Sequence, residues 1–191
     1  MKSVCCVVLT SLLFVACGSP AAPPASAPAP ASAGPTPQPY GNLAQVMRAI
    51  PFPNSNMIFD AGNEDPAAKS KKKPAPTGGG GSASANYSEI YGGWQGVEQA
   101  AIALSETANL IMIPGRMCEN GKPAPLDKED YQKAAAGLAE AGKVALKAAQ
   151  SKNLDMMLEA GGTVTEACSA CHEVYRDKDN NADRCVAGPK K

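Results

Sequence analysis

Three long stretches of the chain, 88–113, from about Asp127 to Ala148, and 153–177, carry small or apolar side chains every three or four residues. No segment alternates with period two for long enough to make a strand. A helix brings every third or fourth residue to one face, whereas a strand alternates its faces, so the pattern predicts helices and excludes a sheet. In the first stretch the stripe is Tyr91, Trp94, Val97, Ala101, Leu104 and Ala108, ended by Pro114-Gly115. The second opens at "DKED", where Asp127 is placed to cap and carboxylates fill the first turn, and continues through Tyr131, Ala135, Leu138, Ala141, Ala145 and Ala148. A shorter helix is predicted over Leu43 to Ile50, interrupted by Pro51 and Pro53 and resuming through Asn56 to Asp60. Short polar connections between four such elements predict an all-α fold, an antiparallel four-helix bundle. Alanine is the commonest residue in its stripes and aromatic residues make up only 5% of the chain, which leaves a thin core that a large bound group could thicken.

The last helix holds the only histidine of the 191 residues, in "CSACHEVYR". Cys168, Cys171 and His172 stand at i, i+3 and i+4, so one helical face carries all three. Two thiols at that spacing can add across the two vinyl groups of a haem, and the imidazole that follows can ligate its iron. Two other chemistries use similar residues. A thioredoxin-like redox pair needs a βαβ setting, and no strand pattern surrounds this one. Zinc needs four ligands, which only Cys118 and Cys185 remain to complete. The expected cofactor is therefore one covalently bound haem c per chain. Gly161 and Gly162, two turns earlier, fit either a helix break or a close approach of backbone to a porphyrin.

Residues 1–16 read as a signal peptide: a short basic start, then the apolar run Val4 to Val15, too short to span a bilayer. The run ends in Ala16-Cys17-Gly18, which is similar to the bacterial lipobox, although Phe14 departs from its usual aliphatic residue and leaves ordinary cleavage nearby as the alternative. Lipidation at Cys17 would anchor the chain at the periplasmic side of a bacterial membrane, and Gly18 favours the outer one. Residues 17–39 are almost wholly Pro, Ala and Ser after the cysteine and cannot bury enough surface to fold, so they read as a tether to a domain over 40–188. Of seven cysteines, Cys5 and Cys6 leave with the leader, Cys17 takes lipid, and Cys168 and Cys171 take haem. In an oxidising compartment the remaining two, Cys118 and Cys185, are expected to form a disulfide, two free thiols being the alternative.

A helical bundle whose last helix carries C-x-x-C-H resembles the cytochrome c prime family. In "CSACHEVYR", Arg176 stands four residues beyond the histidine, as that family often shows. "NLAQVMRAI" resembles the family's first helix, where a Met-Arg or Met-Lys pair sets the methionine over the distal haem face, and so implies that role for Met47. Pro51 and Pro53 depart from the family's long first helix, and "FPNSNMIFD" is similar to a bacterial lipoprotein branch of such cytochromes. The insert at 61–86, with its lysines and four consecutive glycines, is a further departure.

The second axial ligand decides what such a haem does. No second histidine exists, and Met57, Met112, Met117, Met156 and Met157 compete with Met47 for the position. A methionine ligand implies a single-haem electron carrier, while an open site implies a protein that binds NO or CO. Peroxide chemistry wants a distal acid–base group that histidine cannot supply here, so no enzymatic activity is expected. Partners are expected to be redox proteins and the membrane through the lipid, with a homodimer open and no nucleic acid. The cluster Lys69, Lys71, Lys72 and Lys73 reads as a solvated loop, or as a dock for an acidic partner. With 18 basic and 18 acidic residues, overall charge selects no class of partner.

Overall fold

The computed structural model describes residues 34, 36–70 and 92–186, and its helices lie in the unit Thr36–Lys191. They are α1 (Leu43–Ala49), α2 (Pro51–Asn63), α3 (Pro66–Ser70), α4 (Gly93–Ile111), α5 (Glu129–Ser151) and α6 (Leu154–Tyr175), followed by a 3₁₀ turn at Asn181–Asp183. Among the described residues there is no strand, only an isolated bridge between Met117 and Pro123. The chain is all-α.

The interruption expected at Pro51 is present, α1 ending at Ala49, but it is shorter than the sequence suggests. Pro51 occupies the first position of α2, where its missing N–H costs nothing and its fixed φ suits the helix, so α2 begins at once rather than at Asn56. The break is confined to Ile50, at φ −121° and ψ −67°. At the other end of α1, Asn42 and Gln45 form a reciprocal capping box. The cap expected at Asp127 is absent: Lys128 takes the N-cap position of α5 without a side-chain bond, and Asp127 pairs with the Lys128 ammonium at 2.9 Å instead. Glu129 and Asp130 still place negative charge on the first turn, where the helix dipole favours it. Asn153 caps α6, accepting from Met156 N at 3.0 Å, and Lys152 turns the chain in the left-handed region at φ 53°.

Four helices, α2, α4, α5 and α6, pack in a ring, each against the next. Neighbours run in opposite directions. Along α4 and α5, Tyr131 reaches the Ile111 carbonyl while Ser105 reaches that of Ala139. Gly62 near the end of α2 lies against Leu158 near the start of α6. Ile58, Leu104, Met157 and Val164 are fully buried among Ala100, Ala101, Ala145 and Ala160. Small side chains close this core by letting the helices approach. At Gly142 an added Cβ would fall 2.7 Å from Ser105 N and 2.9 Å from the Ala101 carbonyl, so only glycine fits this crossing. Gly161 and Gly162 neither break α6 nor face a tight contact: a Cβ would meet only Phe59, at 3.7 Å, at the former and nothing within 4 Å at the latter.

Candidate functional site

A mostly apolar cavity of about 280 Å³ opens at the end of the bundle where α1 runs into α2 and α6 finishes. Cys168, Cys171 and His172 reach it from α6, Met47 from α1, and Pro51, Phe52 and Ser55 from α2. Residues far apart in the chain, 47 and 172, thus face one space. Of the methionines among the described residues, Met47 alone lines it. Met157 is fully buried in the core, Met57 and Met156 pack against it, Met112 caps α4 and Met117 is exposed in the following loop.

The end of α6 is fixed in place. Tyr175, 3% exposed, donates its hydroxyl to Asp130 Oδ1 at 2.6 Å and packs its ring edge-on against Tyr131, centroids 5.4 Å apart. Burial, and for Tyr175 the Asp130 carboxylate, push both phenols well above their usual range. Cys168 and Cys171 are free thiols, partly buried. Burial raises both, Cys171 to about 11, which keeps them protonated at neutral pH. Burial and then the Arg176 charge lower the His172 pKa, with Asp177 opposing, so the ring favours the neutral form that ligates metals. Arg176 lines the cavity but turns its guanidinium to Asp177, at 2.7 Å and 3.3 Å.

Cys118 and Cys185 are joined in a disulfide, their Cα atoms 6.4 Å apart, and Cys185 forms part of the cavity wall. Bound to each other, they are not thiolate ligands, so no zinc set can be assembled from them with Cys168, Cys171 and His172. Among the described residues, no group of three or more His, Cys, Asp and Glu is arranged to hold a metal ion by itself.

Three charged residues at the rim escape the sequence reading: Arg48, Glu119 and Arg184. Glu119 accepts from Arg48 at 2.8 Å and from Arg184 at 3.4 Å, and both pairs lower its pKa, Arg48 most. Their signal was adjacency: Glu119 follows Cys118 and Arg184 precedes Cys185, so the disulfide that joins the cysteines also joins these two. Cys17, Lys71, Lys72 and Lys73 lie outside the described residues, as do residues 88–91 of the first predicted long helix.

The residues present fit a covalent haem. Two unpaired thiols one helical turn apart, a neighbouring imidazole and a thioether from another helix share one apolar cavity. The arginines that line it, Arg48, Arg176 and Arg184, are paired with Glu119 and Asp177. No family model, curated protein or solved structure matches the chain.

Proposed function

We propose that the chain is a c-type cytochrome of the cytochrome c prime kind, carrying one haem c in this cavity and passing single electrons. The observation that carries the reading is the meeting of Cys168, Cys171, His172 and Met47 on one cavity from two helices. Cys168 and Cys171 would each add a thiol S–H across a vinyl group, the sulfur going to one carbon and the proton to the other. His172 and Met47 would hold the haem iron. Haem, when bound, supplies one-electron chemistry at iron. The chain's own part is to hold the group and to keep water from the mostly apolar wall around it. At about 280 Å³ the cavity lies just below the usual range of small-molecule sites.

Covalent attachment is tested on a denaturing gel stained for haem peroxidase activity. The full chain, matured with a haem-attachment system, should keep its stain, and Cys168→Ala with Cys171→Ala should lose it. An unstained parent chain contradicts the reading.

A second reading, a five-coordinate haem binding NO or CO, is favoured by one observation: Met47 sits on α1, which buries none of its residues. We place the protein on the periplasmic side of a bacterial membrane, held by lipid at Cys17. Expressed with its own leader, it should fractionate with membranes and Cys17→Ser should release it, whereas a soluble parent without acyl mass rules the anchor out.

A further inference from the structure

Seven residues are too few for a helix to persist alone in water, and α1 is at most half-buried along its length. Its C-terminal end is continuous with α2. Its N-terminal end and its exposed side are held elsewhere, by three hydrogen bonds to the loop after α4. Leu43 N donates to the Met117 carbonyl at 2.8 Å. Arg116, 4% exposed, donates through Nη1 to the Gly41 carbonyl at 2.6 Å and through Nη2 to the Leu110 carbonyl at 2.6 Å, tying the chain before α1 to the end of α4. Arg48 donates to Glu119 at 2.8 Å. All three reach residues 116–119, which flank Cys118.

That loop is in turn fastened to the segment that follows α6. Beyond the disulfide, Asn120 Nδ2 donates to the Asn181 and Arg184 carbonyls at 2.9 and 3.0 Å, and Lys122 Nζ to the Ala182 carbonyl. Cys185 N donates to the Tyr175 carbonyl at the last residue of α6. A path of direct contacts therefore runs from α6, through Cys185 and Cys118, to α1.

We infer that the Cys118–Cys185 disulfide is a positioning device: it fixes the 116–119 loop, and through it sets α1 over the mouth of the cavity with Met47 facing the α6 cysteines. Without the bond, α1 opens locally while the ring of α2, α4, α5 and α6 stays packed. Only the spectroscopic consequence, loss of a methionine ligand, rests on the haem reading; the opening of α1 does not.

The test compares the full chain, as isolated, with Cys118→Ser/Cys185→Ser by hydrogen exchange resolved to segments. Amides of 43–49 should exchange about tenfold faster or more in the variant, with those of α4, α5 and α6 unchanged. Unchanged exchange in 43–49 overturns the proposal. So does a uniform rise in every helix, which would make the bond a general staple. Should the variant fail to fold, the parent treated with an excess of dithiol serves in its place. The dithiol gives two electrons and two protons to the Cys118–Cys185 bond and closes to its own disulfide, and the same outcomes decide. If the parent carries haem, a shift from low-spin to high-spin should accompany the opening. A parent that is high-spin from the start counts against Met47 as ligand and leaves the exchange result to judge the disulfide.

Discussion

Cys168, Cys171 and His172 share one face of α6 because a helix brings positions i, i+3 and i+4 together, a relation that is wholly local. Met47 was reached only through resemblance, since nothing in its own neighbourhood points to a residue 125 positions away. For Arg48, Glu119 and Arg184 the sequence offers only adjacency to Met47, Cys118 and Cys185, because their meeting depends on how the segments around the disulfide close. The same holds for Tyr131, which reads as one more stripe residue and proves to be the ring against which Tyr175 is set. Burial raises the Tyr131 phenol, so the folded chain holds that proton more tightly than the unfolded chain, where the phenol titrates near pH 10. The contribution is fully present below about pH 10 and is lost as pH rises beyond it, by at most about 1.4 kcal/mol per pH unit for each such group. Urea midpoints should therefore fall above about pH 10, and Tyr131→Phe should fall less steeply while losing about 1 kcal/mol at neutral pH with its bond to the Ile111 carbonyl. Equal alkaline slopes for the two proteins would show that Tyr131 is not a source of the loss.

Helix periodicity found α4, α5 and α6 because their stripes are long and their buried faces repeat. Helix ends were harder. Pro51 does end α1, but a proline in a first turn also starts a helix, so α2 resumes there rather than at Asn56, and Asp127 turns to Lys128 instead of capping. The alanine stripes suggested a core short of volume, and the helices answer by closing on one another at Gly142. Gly142→Ala should cost about 1–3 kcal/mol, because the new methyl meets backbone that cannot yield without moving a helix. Gly162→Ala, in a helix interior with nothing within 4 Å, should gain up to about 1 kcal/mol. Chemical denaturation of both variants checks the contrast, and equal effects would mean that α4 and α5 do not cross as closely as described.

For the molecule as a whole, the bundle and the cavity divide the work. The ring of four helices holds the α6 motif rigidly through Tyr175, Asp130 and Tyr131. The less anchored α1 brings Met47 from the other side under control of a loop and a disulfide. The two functional readings differ only in whether that thioether reaches iron. The visible spectrum of the ferric and ferrous protein, with and without CO, decides between them. A thioether from Met47 on the iron should give a low-spin haem in both states, a weak ferric band near the red end of the spectrum and little or no CO binding, with Met47→Ala turning the haem high-spin and open to CO. A parent protein whose ferrous haem is already high-spin and binds CO readily would contradict the electron-carrier reading.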